Sequence, residues 1–491
     1  MQLPQEIQSL INTLPPESQA VVKAIALMYE AKVQKLEARV KELEDQIAKN
    51  SKNSSKPSST DGFKRPAPKS LRTKSGKKRG GQKGHKGHTL KMTARPDRRV
   101  FHEVKNCSHC QKDLSERQIS EHIKRQVYDI PILQVQVTEH ISEVKICDCG
   151  CRNTAKMPNH ASHYVQYGPN LKTFLTYLQD YQLLPYARCA ELVEDLFEHN
   201  ISQGTLFNTR QTNYEVLENF ETGLQTFLRS VNLAGFDETG IRIAQSSKPI
   251  SYWLHSCSTN DSVLYHVNQK RGRQAMDEMS VLPYFKGVAV HDFWKSYYQY
   301  DCTHALCNAH LLRELVFIKE RFSQNWAQQL IDLLLKMKKS KHRAINKGKT
   351  ELSEPTLKKY RREYEDIIKK GLTENPLEPL PLQKVKRGRK PKTKPRNLLE
   401  RFRDFSDDVL RFFYNFEVPF DNNFSERDLR MMKVKLKISG CFRSLKGAQY
   451  FARMRSYVGT ARKQGINAFK AIRSLFTDKS VPQSLISNLY C

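Results

Sequence analysis

The stretch between Asn232 and Asp292 leaves the chain little choice of fold. Leu233-Ala-Gly-Phe-Asp237-Glu-Thr-Gly-Ile-Arg-Ile243 is an apolar strand that reaches an acid and turns into more strand. Ile250–Cys257 and Ser262–Val267 continue in the same rhythm, and Arg273–Met279 reads as a short helix. Gly287-Val-Ala-Val-His-Asp292 is then a short apolar run ending in a second acid, the mark of a strand buried on both faces.

Three strands, a helix and a fourth strand, with acids on the first and fourth, is the order of a ribonuclease H-like fold. In that order the first and fourth strands lie side by side, so Asp237 and Asp292 are expected to be neighbours. Like charges that close are tolerated only when cations neutralise them, as in a two-metal phosphoryl-transfer site. A third acid is expected on a later helix, within Phe420-Asp-Asn-Asn-Phe-Ser-Glu426-Arg-Asp-Leu-Arg430. On chemistry alone Glu417, Asp421, Glu426 and Asp428 all compete for that place.

The remaining sequence is strongly basic. Its 491 residues hold 82 Lys and Arg against 51 Asp and Glu, a net charge of +31 that favours a polyanionic partner. No apolar run approaches the length of a membrane span. Met1-Gln-Leu-Pro-Gln-Glu lacks the basic and then apolar start of a secretory signal, so a cytosolic chain is expected. Disulfides are unlikely there, and the 11 cysteines read as core thiols or metal ligands.

Residues 1–50 carry a heptad: Ala26, Val33, Val40 and Ile47 form one seam, Val22, Tyr29, Leu36 and Leu43 the other. β-Branched residues opposite leucines favour a two-stranded coiled coil, against the alternative of an amphipathic helix packed on its own domain. Residues 51–96 are rich in Ser, Pro and Gly, with twelve Lys or Arg and no acid between Gly62 and Pro96. Such a segment buries no core and reads as a flexible tether, for phosphate contact or merely as a solvated linker.

Residues 97–160 form the next unit. Cys107-Ser-His-Cys110 and Cys147-Asp-Cys149-Gly-Cys151 flank an alternating stretch, Arg125–Lys145, that reads as hairpin strands. Two cysteine knuckles joined by strands suggest a zinc ribbon-like β module with one structural Zn²⁺. Cys151 is an alternative ligand to Cys147 or Cys149. Residues 161–230 read as helical; Ala187–Phe197, a break, and Ser202 as N-cap of a second helix outline a helix-turn-helix or a plain bundle. The catalytic domain would span 231–478, with a helical, basic insertion at about 320–396 and a tail over 479–491. The overall class is a multidomain α+β chain with an α/β catalytic domain.

The dispersed motifs Gly80–Leu90, Gly235-Phe-Asp-Glu-Thr-Gly240, Val290-His-Asp-Phe-Trp-Lys-Ser-Tyr297, His304–Arg313, Pro419–Arg430 and Ser439–Ser444 with Thr460–Gly465 resemble the DDE transposases of the insertion sequence 66 family. The resemblance runs from the N-terminal heptads to about Phe476. It implies an acidic triad of Asp237, Asp292 and Glu426 holding two Mg²⁺ or Mn²⁺, and it favours Cys107, Cys110, Cys147 and Cys149 as the zinc ligands. It implies metal-dependent cleavage and strand transfer at the ends of a bacterial element, with double-stranded DNA as partner. Homo-oligomers, accessory proteins of the same element and a nucleoid-associated cytoplasmic location fit the same picture.

Several basic groups are candidates for the DNA. Lys77, Lys78, Arg79 and Lys83 in the tether are expected on phosphates, as are Arg427, Arg430, Lys433, Lys435 and Arg443 after the third acid. Lys433-Val-Lys-Leu-Lys-Ile438 alternates, which would put its lysines on one face, with Arg453, Arg455 and Arg462 adding to the positive wall. Lys384–Lys392 suggests a minor-groove hook or a charged linker. Cys307-Asn-Ala-His310 has metal-ligand spacing but only two ligands, and reads mainly as structural. A related two-metal nuclease and a zinc-containing DNA-binding repressor with inactive acids are the competing functions; clustered carboxylates facing phosphate count against the repressor.

Overall fold

The computed structural model describes residues 5–50, 52–54, 80–82, 84–87, 89–245, 248–377, 392–478, 480–482 and 485. The chain is a mixed α+β protein that begins with helices α1 (Gln5–Asn12) and α2 (Pro16–Ile47). Pro16 opens α2, where a missing N–H costs nothing. The heptad leaves α2 with apolar groups in water: Leu36 is 58% and Ile47 83% exposed. The end of α2 docks on the rest of the chain, where the buried Asp45 pairs with Arg321 at 2.9 Å and Lys394 at 2.6 Å.

Each cysteine knuckle is a tight loop. Cys107 N–H donates to Lys112 O at 2.9 Å, and Cys147 N–H to Cys151 O at 2.9 Å. The second loop joins β1 (Val144–Ile146) to β2 (Arg152–Thr154) as an antiparallel pair. The alternating residues 125–143 form no ladder, and Val127, Ile132 and Val137 face solvent. A strand needs a partner for its N–H and C=O groups, and among the described residues no segment pairs with this stretch as a strand.

A helical layer follows: α3 (Pro169–Thr176), a π-turn over Tyr177–Tyr181, α4 (Tyr186–Phe197), α5 (Gln203–Val216) and α6 (Glu218–Ser230). α4 ends on Glu198 in the left-handed region, and the Ser202 hydroxyl caps α5 by accepting from Thr205 N–H at 3.0 Å. A buried ion pair, Asp180 to Arg210 at 2.8 Å, locks the π-turn to α5.

The central sheet contains β3 (Leu233–Gln245), β4 (Lys248–Ser258), β5 (Val263–Asn268), β6 (Val288–His291) and β7 (Thr303–Leu306), in spatial order β5-β4-β3-β6-β7. The first three are antiparallel; β6 lies parallel to β3, and β7 parallel to β6. The short helix α7 (Arg273–Glu278) makes the crossover. Alternation divides β3 between two layers. Ala234 and Phe236 face a core with α6, α7 and later helices, while Ile241 and Ile243 face the opposite side.

α8 (Asn308–Phe322), α9 (Asn325–Ile345), α10 (Glu354–Glu374), α11 (Lys394–Asp404) and α12 (Ser406–Tyr414) form the helical part between the second and third acids. They share one apolar core with the sheet: Trp326, Tyr364, Phe402 and Phe413 belong to the same cluster as Val290 and Leu306. The chain then crosses the sheet as α13 (Asn423–Ser439), and ends in α14 (Leu445–Lys463) and α15 (Ala468–Thr477). α14 covers the outer edge of the sheet, where Tyr265 N–H donates to Ser456 Oγ at 2.8 Å and Val263 N–H to Thr460 Oγ1 at 3.1 Å. Those hydroxyls close an edge that would otherwise pair with another chain. Among the described residues no helix is long and apolar enough to cross a membrane.

Candidate active site

Pairing of β3 with β6 matches Gly235 to Val290, and carrying that register forward two residues brings Asp237 opposite Asp292. Asp237 Oδ1 accepts its neighbour Glu238 N–H at 2.9 Å, and Asp292 Oδ1 accepts Trp294 N–H at 2.9 Å. Glu426 arrives on the first turn of α13. Gly235 makes that possible, because a Cβ there would run into Asn422, Phe424 and Ser425 at the helix start. Asn422 Nδ2 also donates to Phe236 O at 2.8 Å, fastening α13 to the strand that carries Asp237.

The three acids feel one another. Burial, the charge of Glu238 and that of Asp292 push the Asp237 carboxyl up to about 8, with Glu426 adding to the effect. Asp292 is pushed to about 6 by burial and Glu238, against the opposing pull of the Trp294 N–H, Arg271 and Arg401. Groups so reluctant to ionise together make a strong local demand for cations. Hard carboxylate oxygens at adjacent strand ends and a helix start are suitable donors for Mg²⁺ or Mn²⁺.

Glu238 points to the other side of the strand from Asp237. Its side chain is 1% exposed, and it accepts Arg271 Nη2 at 2.6 Å and Tyr297 OH at 2.7 Å. The Arg271 guanidinium lies over the rings of Trp294, 3.8 Å from its centroid, and Trp253, at 4.8 Å. Sequence reading passed over this group. The acidic pair Asp237-Glu238 was visible, but nothing local marks Arg271 as its partner.

The competing acids separate clearly. Asp428 pairs with Lys463 at 2.7 Å, Asp421 lies 3.5 Å from Lys338, and Glu417 is exposed. Glu426 instead lies 3.9 Å from His310 Nδ1 and 4.0 Å from Arg313. Cys307 follows β7 as the N-cap residue of α8, and His310 lies in the first turn of that helix. Burial pushes the Cys307 thiol to about 12, and burial with Arg313 and Lys433 pushes His310 down to about 3.

The basic residues divide differently from the alternation reading. Residues 433–438 are helical, and a helix turns about 100° per residue, so alternate lysines diverge. Lys433 and Lys437 are exposed, whereas Lys435 turns inward to Leu183 O at 3.4 Å. Arg427, Arg430 and Arg443 are exposed. Arg453 is held by Glu221 at 2.6 Å, and Arg455 by Asp180 O at 3.4 Å, so both brace the helical layer. Lys77, Lys78, Arg79 and Lys83 lie outside the described residues, as do residues 384–391 of the hook; Lys392 pairs with Glu400.

In the knuckles, backbone N–H groups lower the Cys107 thiol, from Cys110 and His109, and the Cys149 thiol, from Cys151. Cys110, Cys147, Cys149 and Cys151 are exposed. Among the described residues the two knuckles do not converge into one ligand cluster; the group of three or more metal-binding side chains found there is Cys307, His310 and Glu426.

Residues 2–91 match a family of unknown function, DUF6444. No curated protein matches the chain. Residues 164–450, more than half of the chain, match the family described as transposase IS66 family. That match takes in the helical layer, the whole central sheet and the helix that carries Glu426, and on it the chain belongs to the IS66 family of transposases.

Proposed function

We propose that this transposase is a DDE enzyme with a ribonuclease H-like catalytic domain, in which Asp237, Asp292 and Glu426 hold two Mg²⁺ or Mn²⁺. The observation that carries the reading is the parallel pairing of β3 with β6, whose register brings Asp237 opposite Asp292; burial, the Glu238 charge, Asp292 and Glu426 together push the Asp237 carboxyl up to about 8. The strand order β5-β4-β3-β6-β7 supports the fold assignment. Asp237, Asp292 and Glu426 would hold the cations, which would supply the Lewis acidity for in-line attack of water or a DNA 3′-hydroxyl on phosphorus.

The chain's own groups prepare that chemistry. Gly235 and Asn422 set the height of Glu426 above the strand ends. Arg271 pairs with Glu238 and Tyr297 donates to it, which occupies its oxygens away from the cations. Exposed Arg427, Arg430, Lys433 and Arg443 hold the DNA backbone, and the exposed basic face of α13 continues past Glu426 along Lys437. Lys77, Lys78, Arg79 and Lys83 of the tether contact phosphates beyond the site. α4 and α5 serve as a helix-turn-helix, the exposed seam of α2 pairs with a second copy, and Cys107, Cys110, Cys147 and Cys149 hold one structural Zn²⁺ once the knuckles close.

A cleavage and strand-transfer assay on DNA carrying the element's terminal repeats tests the reading. Asp237→Asn, Asp292→Asn and Glu426→Gln should each abolish both steps while DNA binding persists, since less negative charge faces phosphate. Asp428→Asn, paired to Lys463, should leave chemistry largely intact. Strand transfer surviving in Glu426→Gln but lost in Asp428→Asn would refute the triad.

A further inference from the structure

We propose that Cys307, His310 and Glu426 form a binding site for a borderline divalent transition metal of the Zn²⁺ type, distinct in donor chemistry from the hard-cation site of Asp237 and Asp292. The two-residue spacing between Cys307 and His310 supplies only half of a metal site. Folding supplies a third ligand, because α13 brings Glu426 against the start of α8. The Cys307 sulfur, a ring nitrogen of His310 and a carboxylate oxygen of Glu426 all lie within 4.8 Å of one another. Among the described residues no other group of three His, Cys, Asp or Glu side chains meets that criterion.

The surroundings hold these atoms ready. His310 Nδ1 and Glu426 Oε1 are both sealed from water, 3.9 Å apart, and neither has a hydrogen-bond partner. The Arg313 guanidinium stands 4.0 Å from the same Glu426 oxygen, beyond hydrogen-bond reach; buried polar atoms left without a hydrogen bond are costly, and a metal ion bound between the ring nitrogen and the carboxylate removes that cost. The backbone tightens the third position. Cys307 N–H donates to His291 O at 2.9 Å, and Asn422 N–H donates to the Cys307 sulfur at 3.1 Å, a bond that favours thiolate.

Thiolate, imidazole and carboxylate together select Zn²⁺ over Mg²⁺, with a fourth position left for water. On binding, the Cys307 thiol proton passes to solvent, and one thiolate plus one carboxylate balance the charge of the ion. If Glu426 has the catalytic role argued above, its oxygen cannot serve both sites at once, so Zn²⁺ would inhibit Mg²⁺-dependent cleavage.

Zinc content of the full-length protein, measured after equilibrium dialysis against Zn²⁺, tests the site. Cys307→Ser and His310→Gln should each retain one equivalent fewer than wild type, whereas the Cys107→Ser/Cys110→Ser protein should keep this ion. With Co²⁺ in place of Zn²⁺, the Cys107→Ser/Cys110→Ser protein should still show a thiolate-to-cobalt charge-transfer band, and adding Cys307→Ser should remove it. His310→Gln keeps the ring's bulk approximately, so a misfolded Cys307→Ser protein does not decide the matter. Equal zinc content in wild type and His310→Gln overturns the proposal. Cleavage by Glu426→Gln in Mg²⁺ alone is scored separately: a dead variant with unchanged zinc content would sink this site and leave the catalytic triad standing, and an active variant with reduced zinc content would do the reverse.

Discussion

Asn422 and Phe236 are joined by a 2.8 Å hydrogen bond from the Asn422 side-chain amide to the Phe236 carbonyl. The bond ties the residue before Asp237 to the residue that starts the helix carrying Glu426. The strand that carries Asp237 and the helix that carries Glu426, far apart in sequence, are thereby fastened by a contact that neither acid makes.

Gly235→Ala should break this arrangement without touching an acid. A Cβ at Gly235 would meet the side chains of Asn422, Phe424 and Ser425, so α13 must lift from β3. Overpacking of this kind costs about 1–3 kcal/mol. Cleavage should fall by a factor of ten or more while Asp237 and Asp292 stay in place. A Gly235→Ala protein with wild-type melting temperature and wild-type cleavage would contradict the packing argument.

Stability in the absence of divalent metal should fall as pH rises. Asp237 ionises near 8 and Asp292 near 6 in the folded chain, against 3.8 for the ordinary side chain. The folded state therefore holds more protons than the unfolded state between about pH 4 and pH 8, and ionising them in that window weakens folding. Thermal midpoints in chelator should decline from pH 5 to pH 8. Asp237→Asn should flatten the decline and stabilise the protein at pH 8 by about 1–3 kcal/mol. A flat wild-type profile would mean that the carboxylates are not crowded.

Arg271→Ala should leave Glu238 charged and buried with Tyr297 as its remaining partner. Removing one member of such a pair costs about 2–4 kcal/mol, somewhat below the fully buried case because Arg271 is 30% exposed. Adding Glu238→Gln should recover more than half of the loss. Denaturant unfolding of the two single variants and the double variant measures this directly; strict additivity would argue that the pair is not coupled.

The seam of α2 and its latch are separable. Glutamates at Leu36 and Leu43, which are 58% and 42% exposed, should abolish self-association, read by light scattering, while the melt of the rest of the chain is unchanged. Asp45→Asn should instead keep self-association and loosen α2 from α8 and α11, because it weakens the bonds to Arg321 and Lys394. Faster proteolysis after α2 in Asp45→Asn, with unaltered oligomeric state, is the expected result.

Much of the frame was legible locally. Alternating apolar residues around Asp237 and the short apolar run ending at Asp292 announce strands, and their order leaves the first and fourth as neighbours. β3 and β6 do pair, in parallel. The Ser202 cap was equally readable, since its hydroxyl serves the N–H of a residue three positions on. These features depend on periodicity and capping, which act over a few residues.

Convergence was not legible, because it depends on packing between distant segments. Lys433, Lys435 and Lys437 look equivalent as an alternating run, yet the helix sends Lys435 to Leu183 and leaves the other two in water. Glu426 and Asp428 are chemically alike and two residues apart, about 200° around the helix. Local periodicity suffices for the strands and for the acids at their ends, because strand patterning acts over a few residues. Packing between distant segments sets the rest: α13 lies against Gly235 and brings Glu426 beside His310, while Asp428 is taken up by Lys463 and Arg453 by Glu221.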